Sequence, residues 1–248
     1  MKPERFFIDA IPAEGASAVL PPSELHHARS VMRLRDGQPL ILIDGAGTEA
    51  DGILRLPSSH TALVEIQQRR WTPRISHRIM LAIGVPEQRD ILSDVIRGAI
   101  QLGVTDIHLL QTGYAGSRHL REPSTLIDRC RRVLISACKQ CGQIWFPRMH
   151  GVDSLAAFLS GHADACRVFC GWEPRLGDLL HAEESRGSGD PAGDLVWLIG
   201  PEGGWSESDC GLLDQHKICT VRLGSLTLTT HVAALAGLSA MLTRFNRW

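Results

Sequence analysis

The chain has 248 residues, 44% of them hydrophobic, and 26 Lys+Arg against 27 Asp+Glu give a formal net charge of -1. That length and apolar share can bury one large core or two modest ones, and the near-neutral balance excludes a protein that grips a polyanion by bulk charge alone. No stretch approaches the roughly 18 to 20 unbroken apolar residues of a membrane helix, and no apolar run follows Met1-Lys2-Pro3-Glu4-Arg5 as it would in a signal peptide. Seven scattered cysteines make a poor disulfide framework and point to a reducing, cytoplasmic setting.

Charge is uneven along the chain. Residues 69–148 carry 13 Lys+Arg against 6 Asp+Glu, and residues 149–248 carry 7 against 12. A surface for nucleic acid is therefore sought in the middle and the N-terminal segment, although arginines on solvated helix faces would give the same count.

The first 70 residues read as short strands over 6–8, 39–44, 51–56 and 62–67, broken by the turn signals Asp36-Gly37 and Asp44-Gly45. The expectation is a small β-barrel. A short helix opens at Pro22-Ser23-Glu24-Leu25-His26-His27, with Ser23 as its N-cap. The run Arg69-Arg70-Trp71-Thr72-Pro73-Arg74 marks a change of pattern, and domains of 1–72 and 73–248 are expected on either side.

From Arg78 strands and helices alternate: strand 79–85, helix 90–102, strand 106–110, helix 124–141, then strands 168–170 and 195–199. This pattern specifies a parallel α/β sheet. In the first helix Ile91, Leu92, Val95, Ile96, Ala99 and Ile100 recur at helical spacing, and Gly103 sits where a C-terminal glycine belongs. Residues 183–193 read as a polar loop.

The most informative run is Val196-Trp197-Leu198-Ile199-Gly200-Pro201-Glu202-Gly203-Gly204-Trp205-Ser206, an apolar strand that ends in a glycine loop. Glycines there admit a ligand close to the backbone, or simply make a tight turn. Ser206 with Asp209 resembles a capping box, which places a helix N-terminus just beyond the loop, where free N–H groups could face bound polar atoms. The loop is neither a dinucleotide fingerprint nor a Walker loop. A second run closes the chain: strand 220–224, the loop Ser225-Leu226-Thr227-Leu228-Thr229-Thr230, and a helix over 231–245 with Val232, Leu235, Leu238, Met241 and Leu242 on its apolar face.

Cys138 and Cys141 share a helix face near the end of a long helix, where a redox pair is not expected, and Cys166 with Cys170 has no finger spacing. Packing is the expected role, and no metal site is expected. Adjacent helix residues point apart, so His26 and His27 suit the surface or an RNA contact better than a metal.

Taken together, Leu198-Ile199-Gly200-Pro201-Glu202-Gly203-Gly204 and the closing Leu223-Gly224-x-x-x-Leu228-x-Thr230 resemble the signature of the bacterial 16S ribosomal RNA uridine-N3 methyltransferases of the SPOUT class. Three further stretches are similar to the family's and fall in its order: His27-x5-Arg33 with Asp36-Gly37, Gln101-Leu102-Gly103-Val104, and Ala137-Cys138-Lys139-Gln140-Cys141-Gly142. The resemblance implies an N-terminal PUA-like β-barrel that helps to hold RNA, a C-terminal SPOUT α/β domain with a parallel sheet and trefoil knot, and a homodimer acting on ribosomal RNA or the small ribosomal subunit. It implies S-adenosylmethionine at Gly171, Leu198, Ile199, Gly200, Gly203, Gly204, Leu223, Gly224, Ser225, Leu226 and Leu228. It also implies RNA contacts at Arg5, Arg33, Arg35 and Arg118.

The chain departs from that pattern in charge. Where the family's final loop reads Leu-Arg-Thr-Glu-Thr, this chain has Leu228-Thr229-Thr230-His231-Val232. Gly98, Gln101 and Lys139 replace a lysine and two acidic residues expected near the site. Thr229 and His231 become the catalytic candidates, His231 as a proton acceptor or merely as the start of a helix. The alternatives are a diverged member that binds RNA or cofactor without this activity, and one that methylates another RNA position.

Overall fold

The structure is a computed structural model that describes residues 3–162, 167–171 and 193–247; most of the expected polar loop at 183–193, and Cys166, lie outside them. The chain divides into two compact units, residues 1–75 with 135–146, and residues 76–134 with 147–248. Residues 135–146, which the sequence pattern places with the second domain, group with the first.

The first unit is built on strands β1 (Arg5–Phe7), β2 (Ser17–Val19), β3 (Pro39–Ile43), β4 (Thr48–Arg55) and β5 (Leu63–Trp71), in the order β1-β3-β4-β5-β2. Residues of β4 alternate strictly between buried and half-buried, the period-2 pattern of a strand with one face in a core. Phe6, Leu40, Leu42, Ala50, Leu54, Val64 and Ile66 form that core. Helix α1 (Pro22–His26) has its N-cap at Pro21, two residues before the expected Ser23. Proline occupies its first turn and Ser23 makes no cap, because the missing N–H of a proline is one that a helix N-terminus leaves unbonded anyway. Its Glu24 receives Lys139 Nζ at 2.8 Å on both carboxylate oxygens, with the two side chains only 11% and 15% exposed.

The second unit is a six-stranded sheet, parallel throughout. Its strands are β6 (Ile79–Gly84), β7 (Asp106–Gln111), β8 (Arg148–Ser154), β9 (Arg167–Gly171), β10 (Leu195–Ile199) and β11 (Cys219–Val221), in the order β11-β9-β10-β6-β7-β8. Every residue of β6 and β10 is buried, as central strands covered on both faces require. The helices are α2 (Arg89–Gln101), α3 (Ser117–Leu120), α4 (Pro123–Cys141), α5 (Leu155–His162), α6 (Glu207–Gln215) and α7 (Thr230–Arg244). Two of these close approaches need glycine. A Cβ at Gly98 of α2 would stand 2.6 Å from Leu235 of α7, and one at Gly237 of α7 would stand 1.9 Å from Trp197 of β10. The seat of α7 therefore depends on missing side chains as much as on its apolar face.

Candidate functional site

The strand order reverses between β6 and β10. From β6 the chain proceeds outward to β7 and β8, and its later strands lie on the other side. In an open parallel sheet such a reversal separates the loops at the strands' C-terminal ends and leaves a crevice there. A cleft of about 660 Å³ occupies that place, within the range of roughly 300 to 1,000 Å³ typical of small-molecule sites. Its walls come from Gly171 at the end of β9, the loop from Ile199 to Trp205 after β10, and the segment from Val221 to Leu223 at the end of β11. Leu226 to Thr230, leading into α7, completes them with Gln88, Ile91 and Ala233 of α2 and α7.

Of the residues expected at a ligand, Gly171, Ile199, Gly200, Gly203, Gly204, Leu223, Leu226 and Leu228 line this cleft. Leu198 does not: it is fully buried in the strand, packed with the core beneath. Gly224 and Ser225 are exposed in the final loop, outside the lining. Thr229 lines the cleft, whereas His231 is half-buried in the first turn of α7 and does not. Gln88 and Ile91 join the wall from the start of α2, whose place beside the sheet no local pattern reveals; Trp205 and Arg222 join it from within the two motifs, next to residues that were expected there.

The glycine loop is shaped by crowding on one side and openness on the other. A Cβ at Gly203 would come within 3.0 Å of Tyr114 Cβ, and one at Gly200 within 3.2 Å of the Gly204 backbone. Gly204 itself has φ +73°, a conformation that side chains disfavour. Trp205 closes the floor with its Nε1–H directed to the Gly171 carbonyl at 3.4 Å.

Two charged side chains line the cleft among the described residues, Glu202 and Arg222. Glu202 accepts the backbone N–H of Glu87 at 3.0 Å and of Gln88 at 3.1 Å. It thereby pins the chain just ahead of α2 and puts a negative charge at the helix's N-terminal end, where the N-cap Gln88 makes no side-chain cap. Arg222 donates from Nη2 to the Ser225 carbonyl at 3.1 Å, bracing the final loop, while its buried Nε has no hydrogen-bond partner. The capping box on α6 is present: Ser206 Oγ accepts Asp209 N–H, and Asp209 accepts Ser206 N–H. Asp209 also accepts the Gly113 N–H at 3.0 Å. The capping box is as expected and occupies two of the donors at that helix end; Glu207 and Asp209 make the end acidic, and residues 206–209 do not line the cleft.

The altered charges expected near the site lie elsewhere. Gly98 is under Leu235, Gln101 is exposed at the end of α2, and Lys139 is paired with Glu24 in the first unit. None lines the cleft. Of the arginines proposed for RNA, Arg33 and Arg35 are exposed, and Arg118 is exposed at the rim of a second, smaller pocket. Arg5 instead packs against Gly142 with its Nε buried.

Asp106, His108 and His150 bring their ligand-type atoms within 4.8 Å of one another. The two imidazoles are stacked face to face, with centroids 3.8 Å apart and planes 9° from parallel. In-plane lone pairs on parallel rings do not converge on one ion, so the cluster as arranged is a stack and not a ligand set. His150 donates from Nε2 to buried Asp106 at 2.8 Å. His108 is 3% exposed and neither ring nitrogen has a hydrogen-bond partner; burial, then the neighbouring His150 and His162, push its pKa down to about 3. Cys138 is buried and Cys141 exposed. Burial pushes the Cys138 thiol well above its ordinary range, which makes it a packing residue and a poor nucleophile.

Residues 73–242 match the family model described as an RNA methyltransferase domain, and residues 20–67 match the model of an RNA methyltransferase PUA domain. The chain belongs to the RNA methyltransferase family. Its relatives include the ribosomal RNA small subunit methyltransferase E of Mycobacterium tuberculosis, 27% identical over 98% of this chain and 92% of that one. The Bacillus subtilis protein of the same name is 23% identical over 96% and 95%. The crystal structure of the Neisseria gonorrhoeae ribosomal RNA small subunit methyltransferase E, bound to S-adenosyl methionine, shares this fold with a TM-score of 0.84. It is 24% identical and 98% of each chain is covered. The fold of this family member is thus a PUA-like sheet followed by a parallel α/β methyltransferase domain.

Proposed function

We propose that the protein transfers a methyl group from S-adenosylmethionine to N3 of a uridine in 16S ribosomal RNA of the small subunit. The observation that carries this is the cleft at the sheet's reversal point, walled by the glycine loop and the final loop in a chain of this family. The name of the relatives from M. tuberculosis and B. subtilis supports the RNA target, and the cofactor in the N. gonorrhoeae structure supports the methyl donor.

The cleft suits that cofactor in volume and in chemistry. Gly171, Gly200 and Gly203, each crowded by neighbouring protein atoms where a Cβ would stand, present bare backbone at the wall, and Ile199, Leu223, Leu226 and Leu228 offer apolar surface for an adenine. Backbone groups of the glycine loop would hold the ribose, and Arg222, with its unpartnered buried Nε, would face the cofactor's carboxylate. Bound there, the cofactor supplies an electrophilic methyl on a sulfonium whose leaving group is neutral. The residues have two tasks: to align N3 with that carbon and to help N3 lose its proton. We assign alignment to Thr229 on the cleft wall; His231, two residues further on in the first turn of α7 and outside that wall, either begins the helix or takes the proton.

The active form in this proposal is a homodimer. Leu226 is 78% and Val232 46% exposed, an apolar surface beside the site that a second copy would cover. The first unit, with Arg33 and Arg35 exposed, would hold RNA chiefly through phosphates. The knot expected for the C-terminal segment belongs to the same proposal.

The test is transfer of labelled methyl groups to small subunits that lack the modification, with mass spectrometry to locate the product. Recovery as 3-methyluridine establishes the activity. Cofactor binding without transfer would instead indicate a diverged binder, and label at another position a different target.

A further inference from the structure

A second pocket, of about 290 Å³, lies between the start of α2 and the start of α4 in the second unit. Four guanidinium groups line it, those of Arg89, Arg118, Arg121 and Arg129, against the single carboxylate of Glu122. Arg129 is held toward Asp90 at 3.4 Å, but Asp90 is 96% exposed, so solvent screens that pair and the arginine keeps most of its charge for a ligand. The floor is apolar: Pro86, Leu92, Leu126 and Cys130 are all buried. A cationic rim above an apolar floor matches one ligand chemistry well, a nucleotide whose phosphodiester meets the guanidiniums and whose base lies on the floor.

The pocket is wired to the cleft. Arg89 Nε reaches His119 Nδ1 at 3.4 Å, and His119 Nε2, in the tautomer this demands, donates to the Glu87 carbonyl at 2.8 Å. The Glu87 N–H in turn donates to Glu202, on the wall of the cleft, at 3.0 Å. The beginning of α2 separates the two cavities, with Gln88 and Ile91 facing one and Arg89 and Leu92 the other. The two cavities thus share the first turn of α2 as a common wall.

We propose that this pocket is a second nucleotide site, which holds a nucleotide flanking the one that is methylated and so fixes the register of the RNA. This rests on the reading of the protein as an RNA methyltransferase acting at the cleft. An acidic protein segment would use the rim but not the floor.

The experiment is fluorescence anisotropy of a labelled, uridine-rich hexaribonucleotide across a salt series. It compares the wild-type chain, Arg118→Gln/Arg121→Gln, and the control Arg131→Gln/Arg132→Gln, which removes the same charge from exposed positions of α4 outside the pocket. The pocket variant is expected to bind at least about tenfold more weakly and to lose roughly 0.7 from the salt slope for each phosphate released, while the control stays within about twofold. Equal losses in both variants, no loss in the pocket variant, or equal competition by polyglutamate at matched ionic strength would overturn the site. Calorimetry with S-adenosylmethionine alone should give the same affinity for all three chains. Selective loss of RNA binding in a chain that transfers no methyl group would support the pocket and overturn the activity.

Discussion

Glu202, in the loop after β10, accepts the backbone N–H of Gln88, the residue that caps α2, at 3.1 Å. With the matching bond from Glu87 at 3.0 Å, one carboxylate ties the glycine loop to the helix on the opposite wall of the cleft. Glu202→Ala leaves those two donors to water and frees the loop. A hydrogen bond to a charged group contributes about 1.5 to 3 kcal/mol, and this one is exposed, so the stability loss should fall near about 1 kcal/mol. The larger effect is expected on the ligand, with affinity for S-adenosylmethionine down roughly tenfold by calorimetry, because the loop's ordering must then be supplied by binding. An unchanged affinity would mean that the loop holds its shape without the clamp.

Arg222 carries a different expectation. Its Nη2 braces the final loop at the Ser225 carbonyl, and its buried Nε is unpartnered. If Arg222 holds the cofactor's carboxylate, Arg222→Gln should weaken S-adenosylmethionine by about 2 kcal/mol or more, the scale of a lost charge-assisted bond. S-adenosylmethionine lacking its carboxylate should then bind wild type and variant alike. Equal loss with both ligands would reduce Arg222 to a loop brace.

Gly237 of α7 abuts Trp197, which is fully buried at the centre of β10. Gly237→Ala puts a methyl group where the indole already is. Overpacking of this kind costs about 1 to 3 kcal/mol, against a gain of nearly 1 kcal/mol in helix propensity at an ordinary position. Denaturant titration should therefore show net destabilisation, whereas Gly211→Ala on α6, where nothing lies within 4 Å, should be neutral or stabilising.

This contrast also explains which parts of the fold were legible in the sequence. The alternation of apolar strands and amphipathic helices gave the parallel sheet, and the Gly200–Gly204 run and Ser206 with Asp209 gave the loop and the capped helix, because each is a local pattern. Strand β8 was missed, since Arg148–Ser154 is a polar edge with no apolar run, as was β2, three residues long. The cleft was only half legible: its glycines, its leucines and Arg222 lie in two short motifs, but Gln88 and Ile91 reach it through strand order. Lys139 misled for the same reason. Its partner Glu24 is 115 residues away in sequence, and no local pattern announces that pairing.

His108 gives the protein an acid-sensitive point away from the cleft. Its pKa in the folded chain is pushed from the ordinary 6.5 down to about 3. Between those values the unfolded imidazole binds a proton that the native one does not, so stability falls as pH is lowered through this window. It is fully present above about 6.5 and declines by up to about 1.4 kcal/mol per pH unit below it. Urea midpoints from pH 7 to 4.5 should therefore fall more steeply for wild type than for His108→Leu. Parallel curves would place the acid sensitivity in other groups.

The final loop decides whether catalysis survives the loss of the family's charged pair, and Thr229 and His231 separate cleanly in kinetics. Thr229 lines the cleft and His231 does not, so only the first is expected to alter the shape of the site. Thr229→Val should misalign the target and lower the single-turnover rate over the whole pH range. A general base contributes about 10² to 10⁴ in rate, so if His231 takes the proton, His231→Ala should slow transfer by at least about a hundredfold near neutrality. Its cofactor affinity should be unchanged, and the slope of rate against pH seen in the wild type should be lost. A His231→Ala chain that keeps both rate and pH profile would remove the imidazole from the chemistry. Because N3 of uridine is itself weakly acidic, such a result would leave alignment of an N3 deprotonated by solvent as the source of the rate, and a rate rising with pH in that variant would be its signature.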